Sequence, residues 1–460
     1  MKDEILKAMQ KIVGREHASS AESVLHLHGQ DQSSHARQLP DVVVWPENSE
    51  QVSQIVTYAR RQQVPMTGWG AGSSLEGNSI PVQGGIVVNF GRMNQIIKVH
   101  EGDFQVTVQP GIFYKDMNNE LARYGLFFPP DPGANASIGG MVANNAAGTR
   151  TVKYGATRDN VLALEVVLAS GEIIRTGSRS IKQSAGYDLT HLIVGSEGTL
   201  GLVTEATLKL SPLPEYFSAV LATFETPEEA AQAVYGVIGS GVGPAALEML
   251  DSEAVRLMNL RVTDLPVKPT LLMEFHGATE ASLAAELELV QEICNEGGCV
   301  RFEAGVGRDE RDRLWEGRHA LGEILFSLYP ESIYLITDVS VPISAFPVLA
   351  AYTNQLMKEM GLNGTLFGHA GDGNLHTTTF APKDDPAQQA KLQEFNSHVV
   401  QKAIELDGTC TGEHGVGIGK QKYMVYEHGE GGIETMRRVK RLFDPDNLFN
   451  PGKVISFDSG

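Results

Sequence analysis

Pro129-Pro-Asp-Pro-Gly-Ala-Asn-Ala-Ser-Ile-Gly-Gly-Met-Val-Ala-Asn-Asn-Ala-Ala-Gly148 carries small residues at most of its positions. Large side chains are excluded there, as where backbone must lie against a flat ring system. The flanking regions alternate between strand and helix signals. Upstream, residues 42–45 read as a short strand, Pro46-Glu-Asn-Ser-Glu50 as a turn with helix-start chemistry, and 52–62 as a helix by apolar spacing. Another strand begins at Pro65-Met-Thr67 and runs into Gly68-Trp-Gly-Ala-Gly-Ser-Ser-Leu-Glu-Gly-Asn78. A Gly/Ser loop behind a strand presents backbone N–H groups to an anion such as a pyrophosphate, and a plain turn has the same composition. Gly-Lys-Ser/Thr is missing, so this is not a Walker loop. No helix clearly follows and Pro81 breaks the run, so it is not a Rossmann fingerprint either. Downstream, 161–171 and 172–176 read as strands joined at Ser170-Gly171. A third glycine-rich element follows at Gly186-Tyr-Asp-Leu189 and Val194-Gly-Ser-Glu-Gly-Thr-Leu-Gly-Leu-Val203.

The gross numbers bound what such a chain does. A length of 460 residues predicts two or three domains with large cores. The chain has 49 glycines, and those in the three elements above point to close backbone approach to a ligand. A formal charge of −19 argues against nucleic acid and against an anionic membrane as main partners. Cys294, Cys299 and Cys410 are too few and too scattered for a disulfide framework or an iron–sulfur cluster. No apolar run reaches the ~18 residues of a membrane span. Met1-Lys-Asp-Glu-Ile-Leu-Lys-Ala-Met-Gln10 has acidic residues and no apolar stretch, unlike a secretory or transit signal. The expected location is therefore cytoplasmic, with at most peripheral contact with the inner membrane.

The second half holds a different chemistry in Gly364-Thr-Leu-Phe-Gly-His-Ala-Gly-Asp-Gly-Asn-Leu-His-Thr-Thr-Thr-Phe380. Asp372-Gly373 is a two-residue hairpin signal, since both residues tolerate the positive φ such turns need. That turn pairs His369 with His376 directly across two strands, with Cβ atoms roughly 5 Å apart. Two imidazoles so placed grip a divalent metal, although a lone His pair also reads as polar surface or satisfied core. Gly412-Glu413-His414-Gly415 adds a carboxylate and a third imidazole in a segment that no helix or strand needs. Two His and one Glu leave coordination positions open, as a catalytic site does.

The three glycine-rich elements, in this order, resemble the FAD domain of the vanillyl-alcohol-oxidase-like (PCMH-type) flavoproteins over about residues 38–215, most specifically in Gly195-Ser-Glu-Gly-Thr-Leu-Gly201. The hairpin, then Gly408-Thr-Cys-Thr-Gly-Glu-His-Gly-Val-Gly417, then Asp444-Pro-Asp-Asn-Leu-Phe-Asn-Pro-Gly-Lys453, resemble the FAD-linked D-2-hydroxyacid dehydrogenases. These include D-lactate, D-2-hydroxyglutarate and glycolate dehydrogenases. The resemblance implies an α+β chain. A PCMH-type FAD-binding domain at 38–215 follows an N-terminal helical segment at 1–37. A cap domain at 216–445, with an antiparallel sheet, helices and the metal site, precedes a segment at 446–460. Asn450-Pro-Gly-Lys453 then either returns to the flavin domain or is an ordinary chain-end turn.

The resemblance also implies the site residues. Gly70, Ala71, Gly72, Ser73, Ser74, Gly77 and Asn78 hold the pyrophosphate; Pro132, Ser137, Gly139, Gly140, Asn144 and Gly148 approach the isoalloxazine and phosphates. Gly195, Glu197, Gly198, Gly201 and Val203 lie toward the adenine, with Asn450 on the cofactor as well. Relatives that attach flavin covalently often have His in the first loop; Ala71-Gly-Ser-Ser74 has none, so FAD is expected to be noncovalent. His369, His376 and Glu413 match a zinc or manganese site, and His414 matches the catalytic base. His414 follows Glu413 directly, which in an extended segment would turn it away from the metal; the flanking glycines loosen that constraint. A metal chelated by the hydroxyl and carboxylate of a 2-hydroxyacid would lower the hydroxyl pKa, and a neutral His would take the proton.

Arg318, three residues after Trp315 in the charged helix Arg308-Asp-Glu-Arg-Asp-Arg-Leu-Trp-Glu-Gly-Arg-His319, matches the substrate-carboxylate arginine; Arg311 and Arg313 read as structural. Thr378 shares the face of His376 and is expected at the substrate, whereas Asn374 belongs to the turn. Hydroxyglutarate-type relatives carry a Lys near the strand that here reads Tyr334-Leu-Ile-Thr-Asp338, and Ile336 stands in its place. That favours a monocarboxylate such as D-lactate, with a quinone, a cytochrome, an electron-transfer flavoprotein or oxygen as possible electron acceptors. The alternatives are a D-2-hydroxyglutarate dehydrogenase, the FAD subunit of a glycolate oxidase complex, or a non-redox alkylglycerone-phosphate synthase. The last would want a phosphate site, and no extra basic cluster offers one.

Overall fold

The computed structural model describes residues 2–261, 264–306 and 308–457. The chain forms two compact units. The first comprises Met1–Ala147, Gly155–Leu213 and Glu413–Gly460, and the second comprises Gly148–Tyr154 and Pro214–Gly412. The chain re-enters the first unit at Glu413. No helix among the described residues is long and apolar enough to cross a membrane.

The first unit is built on two sheets. In one, Val42–Val44, Ile86–Asn89 and Met66–Trp69 run parallel, and Ala18–Ser19 adds an antiparallel edge. The crossover is the helix Ser49–Gln62, started by the Asn48 side chain, which accepts from the Gln51 N–H, and stopped by Gln63 in the left-handed conformation. Its Val52, Ile55, Val56 and Ala59 fall on one face and are buried with Val42, Val44, Ile86 and Val88. The other sheet is a five-stranded antiparallel one, in the order Ile96–His100, Gln105–Val108, Leu202–Lys209, Val161–Val167, Ile173–Gly177. The final segment enters through the helix Gln421–Phe443, broken at Gly429. It then runs beside Met66: the Met66 N–H donates to the Leu448 carbonyl at 2.7 Å, and the Asn450 N–H donates to the Met66 carbonyl at 2.7 Å. Asn450-Pro-Gly-Lys453 lies in this unit.

The second unit is a seven-stranded antiparallel sheet with helices, in the order Arg301–Val306, Tyr216–Thr223, Thr270–Gly277, Ala246–Leu250, Asn363–Gly368, Asn374–Pro382, Ser332–Ser340. Helices Ser252–Asn259, Arg308–His319 and Leu321–Leu328 bury apolar residues against Leu221, Ala246, Leu250 and Leu272. Phe367 and Phe380 pack on the same cluster. Side chains alternate along strands, so Glu248, Glu274 and Thr378 lie on this same face. His376 also does, because it pairs with Phe367.

Candidate active site

In the second unit, the strand pair 363–368 and 374–382 differs from the expected hairpin. The turn is not the two residues Asp372-Gly373. Residues Ala370–Asp372 form a 3-10 turn, and only Gly373 takes a positive φ, of 81°. His376 consequently pairs with Phe367, and His369 lies beyond the strand end. The register is offset by two residues from the expected one, and an offset of two keeps every side chain on its face. The histidines still meet, with ring centroids 5.1 Å apart and planes at 85°.

Each imidazole has a carboxylate behind it. His369 Nδ1 lies 2.5 Å from Glu248 Oε1, and His376 Nδ1 lies 3.8 Å from Asp338 Oδ1. Arg318 is buried and donates Nε to the other oxygen of Glu248 at 2.8 Å, with its guanidinium 4.5 Å above the Phe367 ring. Burial pushes the Glu248 carboxyl up, but His369 and Arg318 outweigh it and hold it below the usual carboxylate range. Asp338 also accepts from Asn374 Nδ2 at 2.8 Å, Thr411 Oγ1 at 2.8 Å and the Gly412 N–H at 3.0 Å. Asn374 opens its strand instead of lying in the turn, and its Nδ2 donates to Asp338 and to the Val339 carbonyl. Thr378 is buried across from Ile336, so an apolar side chain and not a cation faces it.

A second buried carboxylate, Glu274, seats the helix that carries Arg318. It accepts from Arg311 Nε and Nη2 at 2.8 and 2.6 Å and from Trp315 Nε1 at 3.1 Å. Its other oxygen faces His276 Nε2 at 2.6 Å, and His276 Nδ1 meets the Tyr154 hydroxyl at 2.7 Å. Burial raises the Glu274 carboxyl, yet His276, Arg311 and Arg150 overcome it and bring it down to about 2. Arg311 is thus structural, as expected.

Glu248, Asp338 and Glu274 escaped sequence reading. The available signal was a lone acid in an otherwise apolar or uncharged strand, as in Ala246-Leu-Glu-Met-Leu250 and Leu271-Leu-Met-Glu-Phe275. Such an acid is expensive to bury without a partner, so it implies one.

In the first unit the three glycine-rich elements converge. A Cβ at Gly70 would fall 2.1 Å from Ser137 Oγ, so the first loop lies directly on the second. Ser137 caps the short helix Ile138–Asn144, accepting from the Gly140 N–H. The Gly195 N–H donates to Val142 and the Glu197 N–H to Ala143, at 2.9 and 2.8 Å, which docks the third element on that helix. Asn78 Nδ2 reaches Glu197 Oε2 at 2.7 Å, and Asn450 Nδ2 donates to the carbonyls of Asn78 and Glu197. Gly198, at φ 68°, has open space where a side chain would project. The small residues and inward backbone of this cradle fit a dinucleotide such as FAD.

Glu197 does more than line the cradle. Its carboxylate accepts from the N–H groups of Val416 and Gly417 at 2.6 and 2.9 Å as well as from Asn78. The segment that carries Glu413 and His414 is therefore pinned here, and the His414 carbonyl accepts from Asn78 and Asn144 side chains at 3.3 and 3.4 Å. Complete burial pushes the Glu197 carboxyl up despite these donors. Gly148 falls in the second unit, where its N–H donates to Thr151 Oγ1 at 3.0 Å.

A glycine-lined dinucleotide cradle in one unit and an antiparallel sheet bearing a His pair in the other define a class, the two-domain FAD flavoproteins. Comparisons agree. Residues 40–177 match the family described as FAD binding domain, and residues 213–454 match FAD linked oxidases, C-terminal domain. The fold is similar to that of p-cresol methylhydroxylase with substrate bound, at TM-score 0.77 and 17% identity, over 98% of this chain and 96% of that one. A probable mitochondrial D-lactate dehydrogenase of Danio rerio is 38% identical, over 98% of this chain and 92% of its own length. Glycolate oxidase subunit GlcD of Bacillus subtilis is 37% identical, over 99% and 97%. The chain belongs to the FAD-linked D-2-hydroxyacid dehydrogenase family.

Proposed function

We propose that this chain oxidises a D-2-hydroxyacid, D-lactate foremost, to the 2-oxoacid. The observation that carries the reading is the cluster on one sheet face: two carboxylate-backed imidazoles beside a buried arginine. The names of the relatives, a D-lactate dehydrogenase and a glycolate oxidase subunit, support the substrate class. When bound, FAD supplies the hydride acceptor at N5, and zinc or manganese supplies Lewis acidity toward the substrate hydroxyl.

His369 and His376 would hold the metal, His369 through Nε2 because Glu248 lies at its Nδ1. Glu413 would complete the set. It follows Gly412, whose N–H is fixed on Asp338, the carboxylate facing His376. Arg318 spends Nε on Glu248 and turns its Nη fork to the substrate carboxylate. Thr378, two residues beyond His376, lies beside the substrate. His414 takes the hydroxyl proton as the C2 hydride leaves, which balances the oxidation of the alcohol to the ketone. The flavin loops would hold FAD noncovalently, with a quinone, a cytochrome or an electron-transfer flavoprotein as the electron acceptor.

Ile336 across from Thr378 removes the cation that a second substrate carboxylate would need. A panel of D-lactate, L-lactate, glycolate and D-2-hydroxyglutarate with an artificial dye acceptor tests the reading. D-lactate should give the highest kcat/KM. A clear preference for D-2-hydroxyglutarate, or no turnover of any of them, would overturn it. The 37% identity to GlcD favours glycolate as the second reading.

A further inference from the structure

The geometry points to Glu248 as a positioning residue that binds a metal-ligand histidine and the substrate arginine into one unit. The inference rests on the function proposed above and adds a residue to it.

Glu248 has no exposed surface. One of its oxygens is 2.5 Å from His369 Nδ1, and the other accepts Arg318 Nε at 2.8 Å. Its neighbours on the same sheet face are Leu250, Leu272 and Phe367. A carboxylate in such surroundings is costly to bury unless well-placed partners compensate it. Its two partners are the two residues that hold the metal and the substrate carboxylate in the proposed reaction.

Each partner depends on it. His369 sits past the end of its strand, as the first residue of the turn, so strand pairing does not set its ring. The contact to Glu248 sets it, and makes Nδ1 the protonated nitrogen and Nε2 the coordinating one. Arg318 lies in the last turn of its helix, where Phe367 supports the plane of the guanidinium and Glu248 fixes its rotation. Asp338 works differently. It stands 3.8 Å from His376 and accepts from Asn374, Thr411 and Gly412, so it mainly holds the turn and the approach to Glu413.

A glutamine at 248 tests this. Its amide has one acceptor oxygen and one donor nitrogen, and it must serve two donors. One contact survives and the other becomes donor against donor. Glu248→Gln should therefore weaken metal binding about 10- to 100-fold, the usual range for an outer carboxylate on a metal-bound His. It should also raise KM for D-lactate at least about 10-fold at saturating metal.

The measurement is a zinc titration of chelator-stripped, FAD-loaded protein against a chromophoric competitor, with FAD content and Tm recorded alongside. A role in folding alone would lower Tm and FAD content and leave the zinc affinity of the folded fraction unchanged. That result would overturn the inference. Glu248→Asp keeps the charge on a shorter arm, and it serves if the glutamine variant does not fold. It should bind zinc with intermediate affinity, and wild-type affinity and KM in it would equally refute the coupling. If the wild-type protein itself binds neither zinc nor manganese, the proposed function falls first, and the two failures are told apart.

Discussion

In the proposed reaction the imidazole of His414 is the base. His414→Asn should keep FAD and metal, because the cradle and the proposed ligands His369, His376 and Glu413 are untouched. Flavin reduction by D-lactate, followed by stopped flow, should slow by about 10²–10⁴-fold, the usual worth of a positioned general base. The deficit should shrink at high pH, where more of the substrate hydroxyl ionises unaided. Metal loss in proportion to activity would make His414 a ligand instead, and unchanged flavin reduction would remove the role altogether. Arg318 offers a second test. Arg318→Lys keeps the charge for Glu248 but loses the planar fork. The expected loss in kcat/KM corresponds to roughly 2–4 kcal/mol of transition-state stabilisation, with FAD content unchanged. An unaffected kcat/KM would leave the guanidinium as a structural partner of Glu248 only.

Among the elements, the helix Arg308–His319 is seated by Glu274 through Arg311 and Trp315, one turn apart. The Glu274 carboxyl sits at about 2 in the folded protein, below its usual value of about 4.3 in an unfolded chain. A depressed carboxyl contributes stability that is present above the unfolded value and fades as pH falls toward the folded one. The contribution is on the order of 3 kcal/mol at neutral pH. Glu274→Gln should therefore be less stable than wild type at pH 7, and urea melts should show the gap narrowing between pH 5 and pH 3. A gap independent of pH would mean that shape, and not charge, seats the helix. In the flavin cradle, Gly70→Ala should cost FAD retention, because the new Cβ would fall 2.1 Å from Ser137 Oγ. The ratio of flavin to protein absorbance measures it, and full retention would show that the two loops move apart freely.

For the whole molecule, division of labour between the two units makes its own prediction. The His pair lies in one unit and the dinucleotide cradle in the other, so EDTA should abolish turnover while the protein stays yellow. Full activity in protein shown by elemental analysis to be metal-free would refute the metal reading. Local structure was readable from the residues alone. Gly/Ser-rich loops after strands, helix-start chemistry at residues 46–50, and two histidines in a turn-bearing stretch all act over a few neighbouring residues. That made the flavin-type unit, the helix carrying Arg318 and the His pair legible. The turn between the histidines was misjudged because Asp-Gly also fits a longer loop in which Gly373 alone takes the positive φ. The partners were hidden for a different reason. Glu248 lies 121 positions from His369, and Glu197 lies 219 from Val416. Which buried acid meets which donor depends on strand order and on the return of the final segment. Those pairings come from the folded arrangement, because the cost of burying a carboxylate is offset across the fold and not along the chain.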